Sequence, residues 1–289
     1  MRELQDESIH LVVTSPPYYN APFDFPGLFS SYDEYLDLLE RVGREVYRVL
    51  ASGRVACYVT QDVRIGGRLY PIVSDLIWIM RRIGFEYQEK IVWRKPEGYI
   101  RISRRSGVLL QHPYPMYYYP DNIYEEIVVF KKPGEFDRAS VPVDVKERSR
   151  IDVRRFQREK WYLSVWDLAN VLPSEKWSKY TAAFPEELVE RLVTLYSYVG
   201  ETVLDPFLGT GTTCFVSKCL ERNYVGYEVD LELREVIEER LGVNAELPPR
   251  CEEGGRQESI EIVVRSDAGK LRTRLREEIE KRLKSRNSR

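Results

Sequence analysis

Residues 11–20, LVVTSPPYYN, decide how this chain is read. Leu11, Val12, Val13 and Thr14 form a short apolar run of the kind that fills a buried strand. Two prolines follow, and proline has no N–H to give a neighbouring strand, so the strand is expected to stop at Ser15. A hydroxyl, a rigid backbone carbonyl and a tyrosine ring then stand at the carboxyl end of a strand, where open α/β sheets bind ligands. The plainer alternative is a proline turn whose tyrosine packs on the core.

The flanking segments settle the fold class. After "IHLVVTS" comes "SYDEYLDLLERVGREVYRVL", with Ser31 and Glu34 spaced as a capping box and a stripe of Leu36, Leu39, Val42 and Val46. "RVACYVT", a helix around "YPIVSDLIWIMRRIGF", then "EKIVW" and "EEIVVFKK" continue the alternation of a mostly parallel sheet. Beyond Lys131 the periodicity fails, and the stretch from Lys146 to Lys160 holds seven Lys or Arg against three acids. That cluster is either a surface for phosphates and bases or a solvated charged face. Order resumes at "FPEELVERLVTLYS", with Pro185 in the first turn of a helix and Glu186 and Glu187 near its positive end. Near the end, residues 258–267 alternate like a strand, and Leu271, Leu275, Ile279 and Leu283 make the stripe of a packing or dimer helix.

Bulk properties exclude more than they assign. A net charge of -2 over 289 residues means that any nucleic-acid contact must come from local basic clusters. Four cysteines without a C-x-x-C pair and only two histidines, His10 and His112, argue against a metal site. Cys214 and Cys219 read as buried apolar side chains. No leader and no long apolar span are visible, so a soluble cytoplasmic protein without a membrane partner is expected.

A second motif, "VLDPFLGTGTT" at residues 203–213, is a strand ending in Asp205, a loop with Gly209 and Gly211, and a helix start. Glycines allow close backbone approach to a ligand, and the helix N-terminus offers free N–H groups. Some twenty residues on, "YVGYEVD" ends in Glu228, the position that holds ribose hydroxyls in Rossmann-like sites. Asp205 would repel a pyrophosphate, so a cationic ligand is indicated. S-adenosylmethionine, with an ammonium and a sulfonium, fits.

"TSPPY" followed by "DPFLGTGTT" resembles the amino-group DNA methyltransferases, in the permuted order of their β subgroup. "IVWRKP", "EEIVVFKKPG", "VWDLANV" and "FPEELVERLVTLYS" resemble family segments in the expected sequence. The resemblance implies a Rossmann-like α/β methyltransferase sheet, mostly parallel, with helices on both faces and an inserted target-recognition region. It divides the chain into a catalytic half (1–133), the insert (134–180), a cofactor half (181–245) and an extension with an amphipathic helix (246–289). Thr181 stands where the family often has His. The family counterpart of the opening segment starts earlier, so Met1 is expected to be an internal methionine and one sheet element to be missing, unless residues 258–267 supply it.

The resemblance also implies roles. An exocyclic base amine is a poor nucleophile because its lone pair is delocalised into the ring. Ser15 Oγ and the Pro16 carbonyl would accept its two N–H bonds, Pro17 would keep that carbonyl rigid, and Tyr18 would stack on a base flipped out of double-stranded DNA. Thr14, Phe184, Pro185, Asp205, Pro206, Phe207, Gly209, Thr210, Gly211, Thr212 and Glu228 would bind S-adenosylmethionine. For Phe184 and Phe207 plain core packing is an equal alternative. Arg104, Arg105, Arg154, Arg155 and Arg158 would contact DNA. Serine at position 15 points to cytosine N4, because members acting on adenine more often carry Asp or Asn there. Adenine N6 is the alternative, and a catalytically dead nucleic-acid-binding module a lesser one. A cognate restriction endonuclease is the expected companion, and the chain would act as a monomer or homodimer.

Overall fold

A computed structural model describes residues 1–21, 27–96, 112–116, 120, 122–169, 184–242 and 262–265. In chain order its strands are β1 (Ile9–Thr14), β2 (Leu50–Thr60), β3 (Val63–Ile65), β4 (Arg68–Tyr70), β5 (Glu86–Arg94), β6 (Tyr124–Lys131), β7 (Val165–Asp167), β8 (Thr202–Asp205), β9 (Asn223–Glu228) and β10 (Ile262–Arg265). The helices are α1 (Tyr32–Val49), α2 (Ile72–Ile83), α3 (Val143–Arg148), α4 (Val153–Arg158), α5 (Glu186–Tyr196), α6 (Thr212–Cys219) and α7 (Arg234–Leu241).

Eight strands form one sheet in the order β10-β9-β8-β1-β2-β6-β5-β7, and β3 and β4 make a separate hairpin. Six of the eight run in one direction; β6 and β10 are antiparallel to their neighbours. The apolar run of β1 is unbroken because both of its faces are covered. Val12 joins the cluster under α1 and α2 with Tyr35, Leu39, Val46 and Met80. Leu11 and Val13 join the opposite cluster, under α5 and α6, with Leu188, Leu192 and Val216. This is the expected Rossmann-like sheet with helices on both faces. At the start of α1, Ser31 Oγ accepts the Glu34 N–H at 3.1 Å, while the Glu34 carboxylate reaches back to the N–H of Ser30 at 2.8 Å. The box therefore closes one residue earlier than its spacing implies.

Three details bear on the sequence reading. Within residues 134–180, β7 pairs in parallel with the end of β5, and the Trp166 side chain is fully buried. That part of the segment extends the sheet. A three-residue strand that follows two six-residue helices is too short to show a period. Cys214 is buried as expected, but Cys219, in the last turn of α6, is exposed. Residues 262–265 do form a strand, and it lies antiparallel on the outer edge of β9, with Ile262 opposite Glu228. The leucine-striped segment from Leu271 to Leu283 lies outside the described residues, as do residues 170–183, including Thr181. Among the described residues no helix is long and apolar enough to cross a membrane.

Candidate active site

Because β1 and β8 are adjacent and parallel, with Val12 opposite Leu204, the two motifs meet at the carboxyl edge of the sheet. Thr14 Oγ1 donates to Asp205 Oδ1 at 2.6 Å, and the Phe207 N–H donates to the same oxygen at 3.0 Å. Asp205 is 1% exposed. Burial pushes its carboxyl up to about 7, against the pull of hydrogen bonds from Thr14, Thr213 and the Phe207 N–H, while Glu228 adds repulsion. Those three donors are neutral. A buried carboxyl held only by neutral donors fits an added cation.

The loop after β8 is built for close approach. Gly209 and Gly211 take φ of 54° and 85°, in the left-handed region that glycine occupies at no steric cost. Pro206 is buried between Asp205 and a half-buried Phe207. Glu228 braces the loop from β9: Oε2 accepts the Gly209 N–H at 2.7 Å, and Oε1 accepts those of Val229 and Asp230 at 2.8 and 2.9 Å. Burial raises its pKa, partly offset by these bonds. The hydroxyls of Thr210 and Thr212 accept from Arg240 Nη1 at 3.2 and 3.1 Å, and Arg240 Nη2 donates to Glu186 at 2.6 Å. Arg240 thereby ties the loop to the start of α5. Pro185 is the N-cap of that helix, and Phe184 is 7% exposed and sits in the core cluster beneath it. The residues fit a ligand with an ammonium at Asp205 and a polar body along the loop.

On the other side of β1, Ser15 and Pro17 are half-buried, whereas Pro16 and Tyr18 are buried. Tyr18 Oη donates to Glu125 Oε2 at 2.6 Å, and Lys95 Nζ closes on Glu125 Oε1. Asn20 holds Phe29 through both its amide groups, at 2.7 and 2.9 Å, bringing together the ends of the loop that follows the motif. Nothing local in the sequence marks the roles of Glu125, Asn20 and Arg240, and Lys95 reads there only as one cation of a basic strip with Arg94, Arg101, Arg104 and Arg105. Glu125 pairs with Tyr18 across 107 residues and with Lys95 across 30, and neither pairing has a local pattern.

The expected DNA contacts fare unevenly. Arg104 and Arg105 lie outside the described residues. Arg154 and Arg158 are exposed on α4. Arg155 is engaged within the protein: its guanidinium meets both oxygens of Glu190 and Glu159, and it lies 5.1 Å from the Trp161 ring. It fastens α4 to α5. The basic cluster is further neutralised by the pairs Arg148–Glu221 and Arg150–Glu147.

The profile of the DNA methylase family matches residues 9–239. The chain is 34% identical over 282 residues to the type II methyltransferase M.MjaI of Methanocaldococcus jannaschii, covering 84% of this chain and 88% of that protein. It is 25% identical over 257 residues to the DNA adenine methyltransferase YhdJ of Escherichia coli, with 84% and 79% covered. Among solved structures it superposes on a putative DNA modification methylase of Thermus thermophilus, crystallised with S-adenosyl-L-methionine, at a TM-score of 0.66 and 31% identity, covering 83% and 88% of the two chains. The cytosine-N4-specific PvuII methyltransferase shares the fold at a TM-score of 0.57 and 16% identity, with 83% and 88% covered.

Proposed function

Because the chain belongs to the DNA methylase family, we propose that it is a site-specific methyltransferase acting on the exocyclic N4 amine of cytosine. Membership makes it a DNA methyltransferase of the amino class, with S-adenosylmethionine as methyl donor. The observation that supports this arrangement is the hydrogen bond between Thr14 and Asp205, which brings Ser15-Pro16-Pro17-Tyr18 next to the buried Asp205 carboxyl.

When bound, the donor supplies an electrophilic methyl on a sulfonium. Asp205 would hold its ammonium, the loop from Pro206 to Thr212 its polar body, and Glu228, at the end of β9, its ribose. Ser15 Oγ and the Pro16 carbonyl accept the two amine N–H bonds, drawing the nitrogen lone pair out of ring conjugation as the methyl arrives. Pro17 keeps that carbonyl from turning away, so the acceptors are arranged before the substrate enters. Tyr18 lies beside the extruded base, whose loss of stacking in the duplex costs a few kcal/mol. The acceptor at position 15 is neutral, which supports cytosine. Adenine N6 is the second reading, favoured by the similarity to an adenine enzyme. Exposed Arg154 and Arg158 are proposed as phosphate contacts, and a restriction endonuclease of the same specificity as companion.

The test is direct. The protein is incubated with mixed-sequence duplex DNA and isotopically labelled S-adenosylmethionine, and the nucleosides are resolved by mass. Labelled N4-methylcytosine is the expected product; N6-methyladenine alone would reassign the base, and cofactor binding without transfer would favour the dead module.

A further inference from the structure

Tyr18 is held from behind by charge. Its hydroxyl donates to Glu125 at the start of β6; Glu125 is 6% exposed, and its second oxygen is taken by Lys95, just past the end of β5. The Lys95 N–H donates to the Ile123 carbonyl at 2.8 Å, fixing the ends of β5 and β6 to each other. Its ammonium also lies 4.9 Å from the ring of Trp93, whose indole N–H donates to the Leu168 carbonyl at 2.9 Å. One chain of contacts therefore runs from the catalytic loop through β6 and β5 to the exit of β7. In the sequence, the basic stretch with Arg101, Arg104 and Arg105 follows shortly after Lys95.

A buried carboxylate accepts only where donors are fixed, and Lys95 leaves Glu125 little choice of rotamer. We propose that Glu125, paired with Lys95, is a positioning residue for methyl transfer: it orients the Tyr18 ring for stacking against the target base and couples that ring to the ends of β5 and β7. This rests on the assignment of Tyr18 as the stacking residue.

A double-mutant cycle tests it. Glu125→Ala and Tyr18→Phe should each lower kcat on duplex DNA about tenfold, the effect expected of one charge-assisted hydrogen bond, while cofactor affinity stays within about twofold. In the Tyr18→Phe background, Glu125→Ala should add less than about twofold more. A 2-aminopurine placed at the target position should show reduced flipping fluorescence in the same variants. Because Glu125→Ala leaves an ammonium unpaired, Glu125→Gln and the double variant Glu125→Met with Lys95→Met are measured beside it, with melting temperatures. The glutamine variant should keep most of the activity; the neutral pair should fold but flip poorly. Multiplying rather than overlapping effects of Tyr18→Phe and Glu125→Ala, or wild-type flipping in the neutral pair, would overturn the proposal. If Tyr18→Ala left kcat and flipping intact, the stacking assignment itself would fall instead.

Discussion

Two buried carboxylates stand at the same edge of the sheet, and the protein compensates them differently. Glu125 has its cation built in, with Lys95 on one oxygen and Tyr18 on the other. Asp205, buried still more completely, meets only hydroxyls and a backbone N–H among the described residues, and its carboxyl is pushed up to about 7. On the proposed function, one site is finished by the fold and the other by the ligand. The difference separates a group that positions from a group that binds, although both are acids at strand termini.

The largest effect should come from breaking the unfinished site. Asp205→Asn keeps the shape but removes the charge, and calorimetry should show cofactor affinity falling about a hundredfold, as expected for losing a buried charge-assisted contact. The ligand-free variant should also melt higher than wild type near neutral pH. The folded state holds the Asp205 proton more tightly than the unfolded chain does. The stability linked to that group is therefore present at low pH and lost as pH rises from the ordinary carboxylate range through about 7.

Ser15→Ala sharpens the contrast from the other side, since its oxygen acts on the amine. Single-turnover kinetics should show methyl transfer slowed about thirtyfold, somewhat less than the loss on removing an oxyanion-hole donor, with cofactor binding unchanged. Equal losses in both would remove Ser15 from the base side.

These two residues were legible in the sequence because each ends an apolar run with a chemistry-bearing break, Ser15 before two prolines and Asp205 before a glycine loop. β1, β8 and β9 were legible for the same reason. What was hidden depends on distance along the chain. Arg240 reaches a loop 30 residues away, and Arg155 reads as one more cation in a basic run until Glu190, 35 residues on, is seen to take it. β7 and the hairpin of β3 and β4 are three-residue strands, shorter than any period can reveal.

Arg240→Met should weaken cofactor binding by about fivefold, because it frees Thr210 and Thr212 without touching Asp205, a neutral-acceptor loss of ordinary size. An unchanged affinity would mean the loop needs no tie to α5. The smallest effects belong to α4. Arg155→Met should lower the melting temperature by a few degrees, as for a loss of about 1 kcal/mol, without altering the salt dependence of DNA binding. Arg154→Ser with Arg158→Ser should leave the melting temperature alone and flatten that salt dependence by about one unit of slope per lost phosphate contact. The opposite pattern would return Arg155 to the DNA surface.

The claim that the ligand's ammonium completes the charge on Asp205 is tested most directly by titrating S-adenosylmethionine into wild type and Asp205→Asn from pH 5 to pH 7.5. A proton and an ammonium compete for the same carboxylate. Wild-type affinity should therefore rise about tenfold per pH unit well below 7 and level off as Asp205 ionises, whereas the asparagine variant should bind weakly and without pH dependence. A flat wild-type profile, or an asparagine variant that binds as tightly as wild type, would contradict the account.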